Sequence, residues 1–201
     1  MKESVQKTVT KRIEEEGRGA FFFGQDFADV GTPEAVKKVL QRLGKAGMLL
    51  RIAPGVYYYP KIDEEYGLGV LYPSLSEIAE AIAKRDRATI VPTGAYALNM
   101  LGLSTQVPAN AVFCSSGSTR CVSIGEGRGI QFVHTSSVKK LAFQSRLMML
   151  IVSALREIGK DQITDEQLAI IKEHLSHVSQ EDYNHDIQLA PAWVRQILHK
   201  L

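Results

Sequence analysis

Hydrophobic residues recur at helical spacing near the start of the chain. Those that lie four residues apart are Val5, Val9 and Ile13. They predict a helix from Ser4 to Glu16 with one apolar face, because residues at this spacing share one side of a helix. The aromatic segment Ala20–Phe23 then favours a short strand, and Gln25–Ala28 is long enough only for a single helical turn.

A stronger helix signal begins at Thr32. Thr32, Pro33 and Glu34 supply an N-cap residue, a proline at the first helical position and an acidic residue in the first turn. The helix is predicted to end near Lys45, because Gly47 is placed to adopt the left-handed conformation that commonly follows a helix. The positions spaced for burial on this helix are Val36, Val39, Leu40 and Leu43.

The opposite face of this helix is basic. It presents Glu34, Lys37, Lys38, Gln41, Arg42 and Lys45. Four cations and a glutamine on one exposed face can contact phosphates and base edges together. A solvated surface without a ligand is the alternative explanation, since amphipathic helices with outward lysines are common.

Two segments rich in β-forming residues follow the basic helix. Met48–Ile52 and Val56–Tyr59 flank a turn that contains Pro54 and Gly55. The order of helix, helical turn, basic helix and hairpin predicts a winged helix-turn-helix with the hairpin as its wing. The residues predicted to contact DNA, the last of them from the wing, are Thr32, Lys37, Lys38, Gln41, Arg42, Lys45 and Arg51.

The remainder of the chain predicts a mixed domain over residues 73–201. Helices before residue 137 are predicted over 76–84 and 95–101, the second with Thr93 before it as an N-cap. The predicted strands, which would form a small antiparallel sheet flanked by helices, are 89–91, 111–115, 121–124 and 130–134. The helices predicted in the tail after Ser137 are 141–158, 165–175, 180–186 and 191–201. The fold class is therefore expected to be α+β.

Net charge divides the chain at the same place as the pattern. The 201 residues carry 24 Lys and Arg against 22 Asp and Glu, a net charge of +2. Residues 1–61 carry 11 against 7, which is +4, and residues 62–201 carry 13 against 15, which is −2. The segment between Pro60 and Pro73 is acidic and glycine-rich, as linkers often are. We therefore predict a DNA-binding domain over 1–61 and a second domain over 73–201.

Composition excludes several classes of protein. With 45% hydrophobic and 23% charged residues the chain has the balance of an ordinary globular protein. The longest apolar stretch, Leu147–Val152, falls far short of the roughly 20 residues that span a bilayer. The N-terminus shows no secretory signal. We therefore expect a cytoplasmic protein with no membrane partner.

Other chemistry is weakly represented. His174 and His177 lie three residues apart but lack a third ligand at a metal-site spacing, which favours surface or capping roles. Cys114 and Cys121 are expected to be reduced, small side chains. Gly125–Gly129 lacks the lysine of a phosphate loop and predicts a hairpin turn. We expect no catalytic residues, no cofactor and no metal.

Two segments of the sequence resemble those of a known protein family. LQRLGKAGMLLRIAPGVYYYP, residues 40–60, resembles the N-terminal winged helix of AbiE-type antitoxins of type IV toxin–antitoxin systems. IVPTGAYALNMLGLSTQVP, residues 90–108, resembles the start of the second domain of the same family. The resemblance covers about residues 20–60 and 73–135, and the tail after Ser137 has no landmark that matches.

The resemblance implies a function for each domain. The first would bind operator DNA and repress its own operon, and the second would neutralise a nucleotidyltransferase-like toxin in a phage-defence system of a prokaryote. Dimerisation or paired binding is expected, because operators are usually symmetric or repeated. The alternatives are a stand-alone regulator without a toxin and an interaction adaptor that binds no nucleic acid. A catalytic second domain that uses Ser115–Arg120 is the weakest alternative.

Overall fold

The computed structural model describes residues 4–125 and 127–201. The chain divides into two compact units, Met1–Arg85 with Ser123–Glu126 and Asp86–Val122 with Gly127–Leu201. The segment predicted as a linker and the helix that follows it belong to the first unit. The domain limits of 1–61 and 73–201 stay a prediction about independent folding.

The first unit contains three helices and two small antiparallel sheets in its described part. The helices are α1 (Val5–Glu16), α2 (Pro33–Lys45) and α3 (Leu75–Arg85), with a 3₁₀ turn at Gly24–Phe27. The strands are β1 (Phe21–Phe22), β2 (Leu50–Ala53), β3 (Val56–Tyr58), β4 (Lys61–Asp63) and β5 (Gly69–Leu71). One sheet has the order β1-β3-β2, and β4 pairs with β5. The predicted first helix, helical turn, second helix and hairpin are confirmed.

Local sequence explains these boundaries. The Ser4 hydroxyl accepts the Lys7 N–H (3.3 Å) at the start of α1. Between β2 and β3 the two-residue turn Pro54-Gly55 has Gly55 at φ +75°, a conformation that glycine adopts without strain. The apolar core under α1, α2 and the sheet consists of Val9, Ile13, Phe22, Phe27, Val36, Val39, Leu40, Leu43, Leu49 and Tyr57.

The prediction of an irregular linker between the two domains was wrong, because part of this segment forms paired strands. Residues 61–71 form the β4–β5 hairpin, in which Ile62 pairs with Val70. The Asp63 carboxylate accepts the N–H groups of Glu65, Tyr66 and Leu68 (3.1, 3.3 and 3.4 Å) and so organises the loop between the strands. An acidic residue that sequence composition assigns to a solvated linker therefore fixes a turn.

The second unit combines one sheet with helices. Its sheet contains β6 (Ile90–Thr93), β7 (Asn110–Ser115), β8 (Arg120–Gly125) and β9 (Arg128–His134), in the order β6-β7-β9-β8. The end of β8, from Ser123 onward, is grouped with the first unit. The helices are α4 (Gly94–Met100), α5 (Val138–Leu141), α6 (Arg146–Ile158), α7 (Asp165–Leu175), α8 (Gln180–Asp186) and α9 (Ala192–Leu198). The α+β class is confirmed, as is the helical character of the tail.

The prediction of an antiparallel sheet was wrong for one pair of strands. β6 and β7 are antiparallel, but β7 and β9 are parallel, with Ala111 opposite Ile130. The alternation of polar and apolar residues reveals which side of a strand is buried, whereas it contains no information about which strand is its neighbour. Pro92 is tolerated in β6 because this strand lies at the edge of the sheet.

Helices of the tail form the apolar core of the second unit around α6. Met148, Ile151 and Leu155 of α6 are fully buried together with Ile171 of α7 and Val194 of α9. The Asp186 carboxylate is also fully buried and accepts the N–H groups of Gln144 (2.9 Å) and Ser145 (2.8 Å) at the start of α6. Among residues 4–125 and 127–201, every helix is too short or too polar to span a bilayer.

Candidate nucleic-acid interface

Helix α2 begins as its sequence predicts. The Thr32 hydroxyl accepts the Ala35 N–H (3.3 Å), and Pro33 occupies the first turn. The four predicted core residues Val36, Val39, Leu40 and Leu43 are all buried. Because these residues fix the rotation of the helix, the basic face is directed outward.

All seven residues predicted to contact DNA are exposed. Six of them lie on α2 or at its N-cap, and Arg51 lies on β2. Lys38 and Lys45, seven residues apart, follow the middle of the outward face, since seven residues make about two turns of helix. The other residues lie toward one or the other flank of this face.

The flank beside the hairpin contains a groove of about 520 Å³. Lys37 and Gln41 of α2 line it on one side, and Arg51 and Tyr57 of the hairpin line it on the other. Arg51 pairs with Tyr57 just before a register shift in β2, and such irregularities change the direction of side chains. The structure thus brings Lys37, Gln41 and Arg51 together.

The flank beside α1 contains Arg42. Its guanidinium Nη1 donates a hydrogen bond to Oε1 of Gln6 (3.3 Å) on α1. Both side chains are exposed, so this contact restrains Arg42 without removing it from solvent. Gln6 is not predictable as part of this surface from the sequence, because the contact joins residues 36 positions apart.

An ion pair holds α1 against the segment that leads into α2. Arg12 binds both carboxylate oxygens of Asp29 (2.9 and 2.8 Å) and also the Asp26 carbonyl oxygen (3.1 Å). The guanidinium lies 5.8 Å from the centroid of the Phe27 ring. The hydrogen bonds from Arg12 lower the pKa of the Asp29 carboxyl to about 2. This pair was not predicted, because the sequence offers no local signal for a contact between residues 17 positions apart.

A second carboxyl in the same segment titrates differently. The Asp26 carboxylate accepts the Phe23 N–H (2.7 Å) at the start of the 3₁₀ turn. Partial burial raises its pKa above the ordinary value, because removal from water disfavours the charged form. Asp26 and Asp29 therefore both shape the chain before α2, and neither lies among the cations of its outward face.

The other residues considered as candidate functional residues in the sequence lie outside this surface. His174 Nε2 lies 3.0 Å from the Leu101 carbonyl oxygen at the end of α4, as the predicted capping role requires. Thr93 occupies the N-cap position of α4, as predicted, but its side chain makes no capping hydrogen bond. Within residues 4–125 and 127–201 no cluster of three His, Cys, Asp or Glu could hold a metal. Glu126 of the predicted hairpin turn lies outside the described residues.

Comparison with known proteins identifies the family. Residues 8–183 match the model of a family described as a family of unknown function, DUF6088. The chain belongs to this family. No curated protein matches it. The chain is also similar to the crystal structure of the RV2827C protein from Mycobacterium tuberculosis, at 12% identity and a TM-score of 0.48, over 98% of this chain and 79% of that chain.

Proposed function

We propose that this DUF6088 protein binds double-stranded DNA through its first unit, as a winged helix-turn-helix. In this proposal α2 is the recognition helix, and the β2–β3 hairpin is the wing. The observation that supports it most directly is the continuous outward surface formed by the exposed cations of α2 and Arg51. Such a surface can neutralise several phosphates while Gln41 reaches base edges in the major groove.

The two flanks of the surface have different roles in this proposal. Lys37 and Arg51 line a groove between helix and hairpin, where a DNA backbone could follow the wing. Arg42 is preoriented by Gln6, which lowers the entropy lost when the guanidinium binds a phosphate. Thr32 contributes mainly by capping α2, and its backbone neighbours present the positive end of the helix dipole to a phosphate.

The test uses DNA from upstream of the protein's own gene. We expect the double variant Lys38→Ala, Arg42→Ala to bind this DNA at least about tenfold more weakly in 0.1 M salt, because two phosphate contacts are lost. The slope of log affinity against log salt should become less steep by about 1.8. Fluorescence anisotropy at several salt concentrations measures both quantities.

The matched control removes two exposed lysines from the second unit. Lys139→Ala, Lys160→Ala changes the net charge by the same amount and leaves α2 intact. We expect its affinity and salt slope to equal those of the wild type. If the α2 variant also binds like the wild type, or if the wild type binds no DNA, the interaction-adaptor alternative is favoured instead.

We further propose that DNA binding serves an autoregulator of the antitoxin type. The support for this step is the resemblance of residues 40–60 and 90–108 to AbiE-type antitoxins. Where a nucleotidyltransferase-like gene lies beside this one, its toxicity should be relieved by the full chain. The α2 double variant should still relieve toxicity but no longer repress a reporter from its own promoter. Repression without any rescue would instead indicate a stand-alone regulator.

A further inference from the structure

A small cavity lies in the second unit between strands β6 and β7 and helices α5 and α6. Its volume is about 120 Å³, and its apolar walls are formed by Val91, Phe143 and Val152. Its polar walls are formed by Thr93, Cys114, Lys140, Ser153, Arg156 and Glu157. None of these residues takes part in the proposed DNA interface.

The sheet supplies one wall of the cavity with free polar atoms. Cys114 lies directly opposite Val91 in the β6–β7 pair, and Thr93 follows two residues later on the same face of β6. The Thr93 hydroxyl makes no capping bond to α4, although it immediately precedes that helix. It is therefore available to a molecule in the cavity.

The helices supply charge. Lys140 comes from α5, and Arg156 and Glu157 come from α6, so the walls carry two positive charges and one negative charge. Within the part of the chain that the structure describes, neither Lys140 nor Arg156 has a hydrogen bond or ion pair through its side chain. Ser153 lies one helical turn before Glu157 and adds a hydroxyl to the same wall.

The volume restricts what the cavity can enclose. Sites for drug-sized ligands are usually about 300–1,000 Å³, so this cavity is too small for a whole nucleotide. It has room for about ten water molecules, each of which needs roughly 10–15 Å³ by the same measure, and hence for one phosphate group. Two cations and two hydroxyls around this volume match the several acceptor oxygens of a phosphate.

Glu157 restricts which anions the cavity can bind. Its carboxylate lies beside the start of α4, where a Cβ added to Gly94 would be 3.9 Å from both of its oxygens. A carboxylate in the wall favours an anion that can still carry a proton, because the protonated oxygen of the anion can donate a hydrogen bond to the carboxylate. Phosphomonoesters have a second pKa near 6 and inorganic phosphate has one of about 7, so both can keep a proton near neutral pH, whereas sulfate cannot.

We propose that this cavity binds a phosphate group, either inorganic phosphate or the end of a phosphomonoester. Lys140 and Arg156 neutralise its charge, Thr93 and Ser153 donate hydrogen bonds, and the Glu157 carboxylate accepts a hydrogen bond from the protonated phosphate oxygen. This site stands independently of the proposed DNA binding, because every one of its residues belongs to the second unit.

The two cysteines allow a direct test in the full chain. Cys114 lines the cavity, and Cys121 is exposed and does not line it. We would measure the alkylation rate of each thiol by iodoacetamide with mass spectrometry, in phosphate and in chloride of equal ionic strength. For a dissociation constant on the order of 1 mM, about 10 mM phosphate should slow the reaction of Cys114 roughly tenfold. The rate at Cys121 should not change.

Parallel measurements distinguish the source of the phosphate group. If both inorganic phosphate and a nucleoside 5′-monophosphate protect Cys114, the phosphate group alone is recognised. If only the monophosphate protects it, the ligand is a phosphomonoester, and both results support the proposal. Sulfate should protect less than phosphate. Failure of both phosphate compounds to protect Cys114, or equal slowing at both cysteines, overturns the proposal.

Variants of neighbouring lysines complete the test. Lys140→Met should abolish the protection of Cys114 by phosphate, whereas Lys139→Met should retain it, because Lys139 is exposed and does not line the cavity. Arg156→Met should also abolish it, and Arg156→Lys should restore part of it. Thermal unfolding of each variant without phosphate shows whether the fold is intact. Full protection in Lys140→Met and Arg156→Met would exclude the site.

Discussion

The two units fix their helices with polar contacts of opposite kinds. In the first unit, the contacts around α2 lie at the surface: Arg12 pairs with Asp29, and Thr32 caps the helix. In the second unit, a fully buried carboxylate, Asp186, joins α8 to the start of α6. The surface contacts leave the outward face of α2 free for a ligand. The buried carboxylate of Asp186 instead joins two helices inside the second unit and is not accessible to a ligand.

This difference implies different energetic costs. Exposed ion pairs contribute about 0–1 kcal/mol, because water competes for both partners. A buried carboxylate that accepts backbone hydrogen bonds contributes more, because its donors cannot turn to solvent when it is removed. We therefore expect the stability of the second unit to depend on one residue, and that of the first to be spread over many.

The largest expected effect is that of Asp186→Ala. Two backbone donors lose a charged partner that contributes about 1.5–3 kcal/mol to each bond, so we expect a loss of about 3–6 kcal/mol. The His185 ring, whose Nδ1 lies 2.8 Å from Asp186 Oδ1, loses its partner as well. Urea unfolding followed by the fluorescence of Trp193, which packs against the core of the second unit, measures this change.

The control for this variant is an exposed acidic residue of the same unit. Asp161→Ala should change stability by less than about 0.5 kcal/mol, as most surface substitutions do. The loss of stability in Asp186→Asn should lie between those of Asp186→Ala and Asp161→Ala. The amide keeps one acceptor oxygen, but its NH₂ group faces a backbone donor. A change below about 1 kcal/mol in Asp186→Ala would show that the buried carboxylate is not what joins these helices.

A smaller effect is expected at the helix caps, where the two units behave alike. Thr32 caps α2 in the first unit, and Thr164 forms a capping box with Gln167 in the second. Either threonine replaced by alanine should lower stability by about 1 kcal/mol, since one helix donor loses its partner. Chemical unfolding of the single variants measures both effects.

Thr32→Asp then separates capping from DNA binding. Aspartate caps as well as threonine, so stability should be retained. Its charge would repel a phosphate at the start of α2, so DNA affinity should fall if this end of the helix approaches the backbone. Thr164→Asp is the matched control, with the same charge change and no expected loss of affinity. Unchanged DNA binding by Thr32→Asp would remove Thr32 from the proposed interface.

Local signals explain which parts of the fold were predictable. The cap at Thr32, the apolar positions of α2 and the Pro54-Gly55 turn all act within a few residues, and each is found as predicted. The parallel pairing of β7 with β9 depends on distant segments of the chain, so alternation could not reveal it. Composition could likewise not show that residues 61–71 pair as strands.

In the candidate interface, too, features set by local sequence were predictable, and contacts between distant residues were not. Helical periodicity determines which side chains of α2 point outward, so all six of its predicted residues are exposed. The contacts of Arg12 with Asp29 and of Arg42 with Gln6 span 17 and 36 residues. Such contacts form only when the whole unit folds. The sequence therefore predicts the cations but not the residues that position them.

The smallest expected effect concerns Asp29 and depends on pH. Its carboxyl has a pKa of about 2 when folded, below the value of about 3.9 in an unfolded chain. The unfolded state thus binds the proton more readily. The stability that the ion pair with Arg12 contributes is present above pH 4 and is lost as the pH falls toward 2. The urea midpoint of Asp29→Asn should lie slightly below that of the wild type at pH 7, and the difference should disappear near pH 2.

Asp161→Asn, which replaces an exposed carboxyl of the second unit, is the control and should have the same urea midpoint as the wild type at either pH. A difference at Asp29 that persists unchanged to pH 2 would mean that its charge does not hold α1 to the segment before α2.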